Sequence, residues 1–219
     1  MYPSFLPSFA SLSFASPGPP REVSASSRTE GVFLSSLPQS PQNLIHSDQQ
    51  QEQPMQPTGQ PSAPSAVLVA HDRWANQHLY TACKALTPDQ LNQPFEMGTG
   101  SLNTNLLHNL GAMHGWTDVL NQTPSRPRLE EQPHTLDQII ELHDPTSSAF
   151  EQAALAKPFD TIITRERADQ TYTFTAGGIL THVMTHSMHH RAQCYNMLRQ
   201  LGVQKQPMSS IMEWMITTD

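Results

Sequence analysis

Several common functional classes lack support in this chain. Cysteine occurs only twice, at Cys83 and Cys194, too few for a disulfide framework and in keeping with a reducing compartment. Basic residues are scarce. The 12 Lys+Arg face 19 Asp+Glu for a formal charge of −7, which argues against a nucleic-acid binder that works through phosphate contacts. The longest uncharged runs are polar or broken by proline, so no membrane-spanning helix is expected. Charged residues make up 14% of the chain, and no internal repeat is present.

Proline is plentiful and unevenly placed. Of the 19 prolines, 11 lie in residues 1–65, a stretch with only six charged residues and no apolar periodicity. Such a segment cannot bury enough surface to repay its ordering entropy, so residues 1–65 are expected to form a disordered tail rich in Ser, Pro and Gln. Its first 16 residues are apolar but lack a basic start, and Pro3 and Pro7 interrupt them. Neither a signal peptide nor a transit peptide is expected, and a cytoplasmic location is. The domain is placed at residues 66–219.

Within that domain, Val67, Ala70, Trp74, Leu79 and Cys83 recur at helical steps. Ser101 is a good N-cap for a second helix carrying Leu102, Leu106, Leu110, Met113 and Leu120. A third helix opens with the Thr-x-x-Gln box Thr135–Gln138. Asp144-Pro145 should either kink it or start a new helix capped by Asp144. Residues 161–164 and 171–175 are β-branched and aromatic around a polar turn, and read as a small hairpin. A long last helix runs from about Ala176 to Leu201, ending at Gly202. The expected fold class is all-α: an antiparallel four-helix bundle with a small β-hairpin before the last helix.

Histidine is the residue in excess. Ten of the 11 histidines follow residue 70. His186 and His190 are four apart on the last helix, so they share a face and can converge on one metal ion. His182 is one turn earlier and rotated by about 80° from His190; it is a candidate supporting base or a packing residue. On the second helix, His108 lies beside the apolar stripe. There it is either a third ligand or a neutral core histidine bonded to a backbone or hydroxyl group. Cys194, Trp74, Trp116, Trp214, Met184, Met188 and Met197 read as packing residues.

Three stretches carry a family resemblance. His71-Asp72-Arg73-Trp74-Ala75-Asn76 resembles a Tyr-Asn-x-Trp-Ala-Asn opening of the first helix. Gly100-Ser101-Leu102, then Leu107-His108 and Trp116, resemble a second-helix pattern. His182 through Gln193 resembles a fourth helix in which His-x-x-x-His precedes Arg-Gly-Gln. Leu201-Gly202-Val203 and Met212-Glu213-Trp214-Met215 also fit. On these motifs, residues 66–216 are similar to the DinB-like family of metal-binding four-helix bundles. Departures are Ala192 for the usual glycine, His71 where tyrosine is common, Pro145, and His114 where an acidic residue is frequent, so a supporting carboxylate at that position is missing.

Carried over residue by residue, the resemblance implies metal ligands at His108, His186 and His190. It implies one divalent transition-metal ion and a homodimer; imidazole ligands suit zinc, nickel, iron or copper, with zinc or nickel favoured. Relatives in the wider superfamily use low-molecular-weight thiols such as bacillithiol and mycothiol, so the implied activity is thiol S-transfer to a small electrophile. The rival expectation is a non-catalytic metal-binding protein of stress or damage responses. A metal-free helical interaction module is the third.

Overall fold

The computed structural model describes residues 59–217 apart from Ala168; the expected tail lies, as far as residue 58, outside the described residues. Four long helices dominate: α1 (Pro64–Cys83), α3 (Leu102–Asn121), α4 (Leu136–Leu155) and α5 (Ala176–Gln200). Between them lie a one-turn helix α2 (Pro88–Leu91), a 3₁₀ turn at Leu129–Glu131, and the strands β1 (Ile162–Arg167) and β2 (Gln170–Thr175). A short α6 (Ile211–Ile216) follows. In the bundle, α3 packs on α4 and α5, and α1 packs on α5 and α4.

The helix starts follow from capping chemistry. Thr87, Ser101, Thr135 and Ser210 each accept a hydrogen bond from the backbone N–H three residues on, and the side chain there accepts one from the cap's own N–H. Each reciprocal pair satisfies two amide donors that a helix start leaves bare. Pro145 does not break α4, which runs unbroken from Leu136 to Leu155. Ile139 and Phe150, one on each side of the proline, are fully buried, and packing on both sides holds the helix despite the missing amide donor. Asp144 caps nothing here; its carboxylate accepts from Gln77 at 3.2 Å and lies 3.2 Å from His143.

The hairpin is longer than the residue pattern indicates. Antiparallel pairing runs from Ile162↔Thr175 to Arg167↔Gln170, and Asp169 in the turn takes φ 62°. An isolated two-stranded ribbon is marginal in water. This one is anchored through buried Ile163 and through Phe174, whose ring meets Trp116 edge-on at 5.3 Å.

The core falls into two large apolar clusters and a small third one. One holds Leu79, Leu102, Leu106, Ile139, Met197 and Leu198; the other holds Val69, Met113, Phe150, Ile163, Ile179 and Val183. Between them on α1, α3 and α5 lie buried Asp72, Asn76, Asn109, Ser187 and Arg191. Trp74 and Trp214 pack α6 on α1, where His71 donates from Nε2 to the Ser209 carbonyl at 2.9 Å. Met188, expected to pack, is instead 60% exposed. No helix among the described residues is long and apolar enough to cross a membrane.

Candidate metal centre

The helical repeat of α5 sets His186 directly above His190, and their ring centroids are 4.4 Å apart. The α3–α5 packing brings His108 opposite them, 5.2 Å from His186 and 4.8 Å from His190 between centroids. One ring nitrogen from each of the three lies within 4.8 Å of the others. Among the described residues this is the one group of three or more potential ligands so arranged. His182 stands beside it, 5.7 Å from His186 and 5.1 Å from Trp116. His189 is turned outward and exposed.

Two of the three rings have their tautomer set by neighbours. His108 Nδ1 lies 3.1 Å from Glu130 Oε1, and an ionised carboxylate can only accept, so Nδ1 carries the proton. His190 Nδ1 lies 2.8 Å from Asn105 Oδ1. The Asn105 amide is oriented by its own donation from Nδ2 to the His190 carbonyl at 3.1 Å, so Oδ1 accepts from His190. Both rings thereby present a bare Nε2. His186 Nδ1 is buried without a hydrogen-bond partner, an open lone pair or donor that calls for a ligand.

Electrostatics favour neutral rings. Burial lowers His186 to about 3 and His190 to about 4, with repulsion from the neighbouring histidines adding to both. Neutral imidazole is the ligating form. Burial also lowers His182. For Glu130, burial works upward, but hydrogen bonds from His108 and Arg128 outweigh it and bring the carboxyl to about 2. The donor set is three imidazole nitrogens, a set that suits a divalent transition-metal ion.

Glu130 and Asn105 were not singled out by the sequence. Asn105 offered a signal, a polar residue on the apolar stripe of α3, which must find a partner when buried. Glu130 offered none, because it reaches His108 across 22 residues of chain from the 3₁₀ turn. The carboxylate missing at His114 is thus supplied from a different element. Cys194 is a buried core thiol, raised to about 12 by burial, as its packing role required.

A bundle of four long helices with a histidine trio between two of them defines the structural class. The chain belongs to the DinB family, whose sequence model matches residues 39–217. It is similar in fold to the crystal structure of a DinB-like protein from Bacillus subtilis, at 16% identity and a TM-score of 0.50, over 65% of this chain and 96% of that one. None of the curated proteins matches.

Proposed function

We propose that this protein is a metal-dependent enzyme in which His108, His186 and His190 hold one zinc or nickel ion and a small thiol is transferred to an electrophile. The observation that carries the reading is the donor count. Three imidazoles converge, and no fourth His, Cys, Asp or Glu among the described residues joins them. Structural zinc sites are closed by four protein ligands, whereas three leave a position for solvent or substrate.

When bound, the ion would supply Lewis acidity that keeps a thiol sulfur in its nucleophilic thiolate form. The residues of this chain do the rest. Glu130 and Asn105 hold two ligand rings in the tautomer that presents Nε2. His182, kept neutral by burial, stands one turn from His186 and can take the thiol proton. The sulfur then forms a bond to the electrophilic carbon, and the leaving group departs with the displaced electron pair. A cytoplasmic homodimer acting on a small molecule completes the proposal.

A second reading has one observation in its favour. A depression of about 650 Å³ lies between the α1–α2 connection and the start of α4, and none of the three histidines lines it. A depression set apart from the trio suits a metal that stabilises the bundle without turnover. The experiment is to load untagged protein with zinc or nickel and assay it with several low-molecular-weight thiols against a chromogenic electrophile. The proposal predicts turnover that His186→Ala abolishes. Metal binding with no rate above buffer would leave the stabilising role.

A further inference from the structure

Glu130 is the side chain that ties the α3–α4 connection to the histidine trio. Its Oε1 accepts from His108 Nδ1 at 3.1 Å and from Arg128 Nη2 at 2.7 Å. Its other oxygen, Oε2, is buried without a partner. The carboxylate can lie this close to α3 because residue 111, three positions after His108, is glycine. A Cβ on Gly111 would come within 2.5 Å of Glu130 Oε2. Glycine in a helix interior is normally a cost, and Gly111 has no positive φ to justify it. Its evident use is to make room for this carboxylate.

We infer that Glu130 is a positioning residue for the metal ligand His108, seated in a notch that Gly111 leaves in α3. The inference rests on the reading that the three histidines hold a metal ion. A carboxylate on the far nitrogen of a ligating histidine fixes ring orientation, makes the bare nitrogen a better electron donor, and places a negative charge near the ion. The three neutral histidines supply no charge of their own, so Glu130 brings the compensating one. Arg128, two residues earlier in the chain, donates to the same carboxylate oxygen. The connection from Asn121 to Leu136 is therefore part of the centre rather than a plain link between helices.

The test uses the full chain, with Zn²⁺ affinity measured by competition with a chromogenic chelator and the Tm of the metal-free protein measured in parallel. Glu130→Ala should weaken Zn²⁺ binding by about 10- to 100-fold. Glu130→Gln should lose less, since an amide oxygen still accepts from Nδ1. Gly111→Ala removes a helix-interior glycine, so its metal-free Tm should hold or rise while its Zn²⁺ affinity falls. With Co²⁺ as probe, Glu130→Ala should shift the visible bands but keep the intensity of a four-coordinate ion.

Unchanged affinity in both Glu130→Ala and Gly111→Ala would overturn the inference. So would a collapse of the Co²⁺ band intensity, which would make Glu130 a direct ligand. A fall in affinity matched by a fall in metal-free Tm across all three variants would reduce Glu130 to a loop contact. Failure of the parent protein to bind Zn²⁺ or Co²⁺ at all would instead sink the metal reading itself.

Discussion

Arg191 and Asp72 form an ion pair across α5 and α1 with side chains only 5% and 3% exposed. It anchors a wider network. Ser187 Oγ accepts from Arg191 at 2.9 Å and from Asn109 at 3.1 Å, and Asn76 donates to Asp72 at 3.0 Å. Asn109, Ser187 and Arg191 each directly follow one of the three histidines in sequence. The network thus sets the rotation of α3 and α5 about their axes against α1, and with it the direction in which the histidines point.

Breaking that pair on one side should be severe. Arg191→Met leaves the Asp72 carboxylate buried and uncompensated, with an expected loss of about 3–5 kcal/mol. The double variant Asp72→Leu/Arg191→Met should recover most of that stability. Urea unfolding of the two proteins without metal checks it; equal losses in both would show that the charge pair does not set the stability.

Gly98 should be intolerant of a side chain. It sits at φ 58°, and a Cβ there would come within 2.7 Å of both Asn105 Oδ1 and Gln193 Oε1. Gly98→Ala therefore pays for a left-handed backbone, about 1 kcal/mol, and displaces the amide that holds His190. Thermal unfolding and Zn²⁺ titration should both register it. Unaltered affinity would mean that Asn105 does not orient the ring.

Acid should weaken the metal-free protein in a defined window. His186 and His190 ionise at about 3 and about 4 when folded, chiefly through burial, against 6.5 ordinarily. Burial also lowers His143 and His71. Folding then favours the neutral ring, so the contribution is whole above pH 6.5. It is lost as pH falls, because the unfolded chain binds protons that the folded one resists. Urea midpoints should fall steadily from pH 7 to pH 4, and a His186→Ala/His190→Ala variant should show a flatter profile. A flat profile in the parent would contradict the burial argument.

Replacing the proline inside α4 should stabilise the fold. Pro145→Ala restores an amide donor in the helix interior, worth up to about 3 kcal/mol, less about 1 kcal/mol from a freer unfolded chain. The expected result is a higher Tm with Zn²⁺ affinity unaltered, since His143 and Asp144 contact Tyr80 and Gln77 of α1 and none of the three histidines. A lower Tm would mean that the proline's restriction of the unfolded chain outweighs the restored amide.

Much of the fold was legible because it is written in local chemistry. The Ser101 and Thr135 caps, the four apolar stripes and the β-branched runs around residue 168 act over one or two turns, and a chain reads such signals in order. The pairing of His186 with His190 belongs to the same kind, since a helix of 3.6 residues per turn allows no other arrangement. Pro145 shows the limit. Its local preference is to break a helix, and burial of Ile139 and Phe150 on either side overrode it.

The sequence alone determined which residues could ligate a metal: histidines at helical spacing, in a domain with ten of the chain's 11. Only the tertiary structure decided that His108 faces that pair, that Glu130 rather than any residue near His114 supplies the carboxylate, and that Asn105 turns His190. Those choices depend on how α3 and α5 are rotated against α1, and contacts between residues 22 to 119 positions apart set that rotation. No local pattern encodes it, because the partners meet only once the bundle has closed.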